Sequence, residues 1–148
     1  MEILSLTNQK FRRETYPLLT MERSAAPGML PGFHYFIEQK YGNETWYFLI
    51  DTGASSTIID KVFAEKVLHL TSEPVAGEMK FQVSGVSFPA ACIHCFFLDA
   101  ESNYFCTDLQ FFKASSELNI AGIIGSDVMD LLNASIDLQR RTITFHAQ

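Results

Sequence analysis

The stretch that decides the fold reads Trp46-Tyr47-Phe48-Leu49-Ile50-Asp51-Thr52-Gly53-Ala54-Ser55-Ser56-Thr57-Ile58-Ile59. Five consecutive apolar residues lead into an acid, and Thr57-Ile58-Ile59 closes the segment. Asp and Gly favour an exposed β-turn, but such a turn is not normally entered and left through apolar runs, which leave no polar register for solvent. Asp51 is therefore expected at the edge of a dry core, where loss of hydration works against its charged form unless partners compensate. Thr52 offers a hydroxyl. Gly53 lets the backbone turn sharply and aim its N–H at a carboxylate or ligand, and Ala54 keeps the approach uncluttered.

Upstream, the runs Phe33 to Gln39 and Thr45 to Ile50 flank the turn Tyr41-Gly42-Asn43-Glu44 and predict a hairpin that delivers Asp51. Downstream, Ser56 to Ile59 predicts a short strand, and Asp60 the cap of a helix with Phe63, Val67 and Leu70 on its apolar face. Thr71 to Gly77 is polar and contains Pro74. Glu78 to Val83 and Val86 to Phe97 predict two strands joined at Ser84-Gly85. Residues 99–119 hold no sustained period. Ile120 to Ile124 predicts a buried strand, Ser126 the N-cap of a helix over Asp127 to Leu132, and Ala134 to Leu138 with Thr142 to Phe145 a last hairpin. Residues 1–32, ending in Ala26-Pro27-Gly28-Met29-Leu30-Pro31-Gly32, read as an N-terminal lead-in or extension, and 33–148 as the domain.

With 148 residues, 47% of them hydrophobic and 19% charged, the chain has room for one ordered core but not for two enzyme domains around a cleft. A net charge of −6 repels a phosphate backbone, which argues against nucleic acid as a partner. Met1 to Lys10 holds an early acid and no signal-peptide core, and no run approaches a membrane span, so the expectation is a cytoplasmic protein without a membrane partner. Three cysteines cannot all pair within one chain. A strand over Phe88 to Leu98 puts Cys92 and Cys95 on opposite faces, which suits neither a zinc site nor a redox pair. The histidines, His34, His69, His94 and His146, are scattered and supply neither a metal cluster nor a Ser-His-Asp triad.

On these residues the chain resembles the aspartic proteases: Phe48-Leu49-Ile50-Asp51-Thr52-Gly53-Ala54 matches their pattern of three apolar residues, Asp, Thr or Ser, Gly and Ala. Ile123-Ile124-Gly125-Ser126-Asp127-Val128 resembles the late apolar-apolar-Gly element that precedes a short helix in retropepsins. The resemblance, closest to the cellular and bacterial retropepsin-like group, implies a mainly β fold: a retropepsin-like closed β-barrel (the acid protease fold) with one or two short helices. It implies an aspartic endopeptidase that needs no cofactor and no metal, with Asp51 catalytic.

The family's chemistry uses two carboxylates sharing one proton, and this chain holds one Asp-Thr-Gly, so the resemblance implies a homodimer with one Asp51 from each subunit. It assigns Thr52 to bonds that brace the pair across the dimer, Gly53 to a contact with the substrate backbone or to orienting the carboxylate, and Ile124 and Gly125 to contacts with an extended peptide or protein substrate. A flap over Ser72 to Lys80 would carry Gly77 near its tip. The segment Ile143-Thr144-Phe145-His146 would interleave at the dimer interface, unless the N-terminal extension replaces it there. Two other readings compete. Asp51 to Thr57 also resembles the phosphate-gripping hairpin of actin-like kinases, but those folds need two lobes and a second Gly-rich loop. The same fold could also serve as a catalytically silent dimer that binds peptides.

Overall fold

The computed structural model describes residues 14–23, 27–30, 32–75, 80–83, 86–97, 100–110 and 118–146. The aromatic-rich runs on either side of Gly42 form β3 (Gly32–Tyr41) and β4 (Glu44–Ile50), paired antiparallel from Tyr41 opposite Glu44 to Tyr35 opposite Ile50. Gly42 makes the turn at φ 62°, a left-handed conformation that disfavours side chains.

The next strand does not lie beside β4. Between β4 and β5 (Ile58–Asp60) runs β11 (Ile120–Ile124), parallel to β4 and antiparallel to β5. All five residues of β11 are buried, as expected of a strand covered on both faces. Gly122 permits the close approach, since a Cβ there would lie 2.6 Å from the Ile58 carbonyl oxygen. Residues 51–57 must therefore bridge across the end of β11, and this crossing brings two distant pieces of sequence to one place.

Asp60 ends β5 and caps α1 (Lys61–Lys66), accepting from Phe63 N at 2.9 Å. Its other carboxylate oxygen accepts from Leu109 N at 2.8 Å, a long-range tie that the sequence did not suggest. Asp60 is fully buried, and desolvation raises its pKa above the ordinary 3.8 against the lowering effect of these two bonds. Phe63, also fully buried, is the hub of an aromatic cluster, meeting the rings of Tyr41, Trp46 and Phe48 edge to face at 5.2, 5.1 and 5.8 Å.

The main sheet is completed by β2 (Leu19–Arg23) beside β3, and by β10 (Ala100–Thr107), β9 (Ala91–Phe97) and β6 (Glu73–Pro74) beyond β5. Its order is β2-β3-β4-β11-β5-β10-β9-β6. A separate hairpin joins β7 (Lys80–Val83) to β8 (Val86–Pro89). A three-stranded sheet, ordered β1-β13-β12, combines β1 (Glu14–Pro17) with β12 (Ser135–Asp137) and β13 (Thr142–Phe145), the two strands that follow α2 (Ser126–Leu131). No helix of the described residues is long and apolar enough to cross a membrane.

The mainly β class with two short helices matches the expectation, but several details differ. The closed barrel is not seen: among the described residues β2 and β6 stand at opposite edges of the main sheet and do not pair. The stretch read as a lead-in supplies β1 and β2, which pair with β13 and β3. The strand expected over Val86 to Phe97 breaks after Pro89, where the chain leaves β7 and joins β10. Proline has no N–H to continue a ladder. The silent region after 99 contains β10, whose polar first half, Glu101 to Asn103, lies exposed and so carries no apolar signal.

Candidate active site

Asp51 sits one residue past β4, where the register Ile50 opposite Ile124 brings it level with the end of β11. Its backbone N–H donates to the Ile124 carbonyl at 3.0 Å. The side chain is exposed in the single chain, and Gly53 N donates to Oδ1 at 3.0 Å. A Cβ on Gly53 would lie 3.3 Å from that same oxygen, so the glycine keeps the N–H close to the carboxylate. Ala54 N closes the turn on the Asp51 carbonyl at 3.1 Å. Thr52 is exposed beside it.

The late Ile-Ile-Gly element does meet this loop. Ser126 N donates to the Ala54 carbonyl at 2.7 Å, and Gly125 N to Thr57 Oγ1 at 3.0 Å. A Cβ on Gly125 would lie 2.8 Å from each of Ala54 O, Ser56 C and Ser56 O, all backbone atoms. Gly125 therefore works by letting two backbones cross, and it is buried where a substrate contact was expected. Ile124 is fully buried in the core cluster with Phe63 and Val128. Ile123 points the other way, into the second cluster, which includes Leu49, Ile58 and Leu109 and against which Ala54, Phe81 and Phe88 pack.

Two further residues belong to this constellation, neither of them among the site residues expected from sequence. Thr57, 1% exposed, donates from both N and Oγ1 to the Asp127 carboxylate at 3.0 and 2.7 Å. Asp127 Oδ1 also accepts from Val128 N at 2.8 Å. The expected Ser126 cap is thereby replaced: Gly125 occupies the N-cap position of α2, and Asp127 in the first turn satisfies a terminal N–H. A Thr at the end of the loop and an Asp just after the late glycine are the signals that could have found this pair.

The flap expectation fares differently. Glu73–Pro74 pairs with β9, opposite Cys92 and Ala91, and so forms part of the main sheet, while Gly77 lies outside the described residues. Among the described residues the hairpin of this region is β7–β8, which shows no backbone pairing to the main sheet there and rests on it through Phe81 stacked on Phe105 at 5.0 Å.

The cysteines are free. Cys92 is half-buried and Cys95 fully buried, on opposite faces of β9. Burial pushes the Cys95 and Cys106 thiols up to about 12, far from thiolate chemistry. Among the described residues, no group of three or more His, Cys, Asp and Glu is placed to hold a metal ion. A half-open cavity of about 280 Å³ lies at the other end of the sheet, between Glu73, Cys92, His94 and Asn103, and does not touch the loop of Asp51.

No protein-family model matches this sequence, and no curated protein matches it. Among solved structures the chain is similar to a retropepsin-like aspartic protease from Rickettsia conorii, at 16% identity over 93% of this chain and 95% of that one, with a TM-score of 0.36.

Proposed function

We propose that this chain is one subunit of a homodimeric aspartic endopeptidase in which two copies of Asp51 form the catalytic pair. The observation that carries the reading is the Asp51 loop itself. An exposed carboxylate, oriented by Gly53 N, stands on a turn fixed by backbone bonds to Ile124 and Ser126. That is a rigid platform under an open acid, which suits a residue that must meet both a substrate and a second carboxylate.

In the dimer one Asp51 is ionised and takes a proton from a water molecule, while its protonated counterpart donates to the scissile carbonyl oxygen. The water oxygen adds to the carbonyl carbon, and the tetrahedral diol breaks down as the aspartate that took the water proton passes it to the departing amine nitrogen and the other aspartate recovers its proton from a diol hydroxyl. Thr52, exposed beside Asp51, takes the role of bonding across the two-fold axis in this reading. The β7–β8 hairpin, which packs on the main sheet through Phe81 and Phe105, takes the part of the flap over an extended peptide.

The test is cleavage of a diverse peptide library across acidic to neutral pH by the wild-type chain and by Asp51→Asn. The expected outcome is wild-type turnover, a loss of at least about 10³-fold in the variant, and an unchanged oligomeric state. Equal turnover by both proteins would remove Asp51 from the chemistry. A dimer that binds peptides but never cleaves them would make the chain a silent binding module.

A further inference from the structure

We infer that Thr57 and Asp127 are positioning residues, a clasp that sets where the Asp51 loop stands; the inference rests on the catalytic reading of Asp51 given above. Thr57 is a buried polar residue at the far end of the 51–57 loop, and its hydrogen bonds leave no ambiguity of direction. Its N–H goes to Asp127 Oδ2 at 3.0 Å and its hydroxyl hydrogen to Asp127 Oδ1 at 2.7 Å. The hydroxyl oxygen is then left to accept Gly125 N at 3.0 Å. Only a carboxylate offers two acceptor oxygens to that pair of donors; an amide would turn an NH₂ against one of them.

The loop is thus pinned at both ends to one short segment, 124–127. Asp51 N is held by Ile124 O, the middle by Ser126 N on Ala54 O, and the end by the clasp. The Asp51 carboxylate is steadied by Gly53 N within the same loop, so any shift of the loop carries the carboxylate with it. Misplacement of a reacting group by about 1 Å costs on the order of 10²-fold in rate, far more than it costs in substrate affinity. Asp127 is exposed, so its replacement leaves the core intact and isolates the positioning role.

The experiment uses the full chain with Asp127→Asn, Thr57→Val and Thr57→Ser, and Asp130→Asn on the same helix as the control. Two readouts are taken: kcat and KM on a peptide that the wild type cleaves, and amide hydrogen exchange at Gly53 and Gly125. Asp127→Asn and Thr57→Val are expected to lower kcat about 10- to 100-fold with KM within about twofold, and to speed exchange at both amides about tenfold or more. Thr57→Ser, which keeps the hydroxyl, is expected to retain most of both, and Asp130→Asn to match the wild type. Wild-type kcat and wild-type exchange in Asp127→Asn would overturn the clasp. Should the wild type cleave no peptide, the endopeptidase reading falls, and the exchange measurement still decides the clasp: faster exchange upholds it and unchanged exchange overturns it.

Discussion

At position 125 the difference between a hydrogen and a methyl group decides whether the two halves of the site can touch. A methyl there meets three backbone atoms of the 54–56 segment at 2.8 Å, and backbone cannot swing aside as a side-chain tip can. Gly125→Ala is expected to destabilise the fold by about 1–3 kcal/mol through forced separation of the crossing strands, read as a lower midpoint in urea with an unchanged slope. An unaltered midpoint would mean that the crossing is looser than described. Gly53 is a different case, since its added methyl faces only the Asp51 carboxylate at 3.3 Å, a group free to turn. The two glycines look alike in the sequence and differ in what surrounds them.

Strand pairs set the next scale, and β9–β10 carries a titrating clamp. His94 sits opposite Asn103, with Nδ1 2.8 Å from Asn103 Oδ1 and Nε2 2.8 Å from Glu101 Oε1. Two oxygen acceptors are both satisfied only when both ring nitrogens carry protons, and the bond to Glu101, followed by that to Asn103, raises the His94 pKa above 6.5. Because the folded value is the higher one, the clamp contributes fully below 6.5 and is lost as pH rises through the folded pKa. NMR titration of His94 is expected to give a midpoint above 6.5 in the wild type and a lower one in Glu101→Gln. Equal midpoints would show that the pairing does not hold in solution. Nothing in the sequence announced this clamp, since the first half of β10 is a run of exposed polar residues. The β3–β4 hairpin was legible for the opposite reason: its apolar density and the Gly42 turn are local signals. The 51–57 to 124–127 contact was half legible: the glycine of the Ile-Ile-Gly element stands out, but the backbone it must pass belongs to a segment far away in the chain.

For the whole molecule, the order β4-β11-β5 is the decisive feature, since it lays the Asp51 loop over the end of β11 and leaves the carboxylate facing outward. The expected interleaving of the C-terminal strand with a partner is altered by the same topology: β13 is already paired on both sides, by β1 and β12 of its own chain. A second copy that joined this one by strand pairing would have to do so elsewhere than along β13. The proposed chemistry nonetheless requires a second copy, because one carboxylate cannot be both acid and base in the same step. Mixing wild type with Asp51→Asn at fixed total concentration, after subunit exchange, measures this directly. If each site needs two intact aspartates, activity follows the square of the wild-type fraction and falls to about a quarter in an equal mixture. Activity proportional to the wild-type fraction, about half in that mixture, would contradict a shared site.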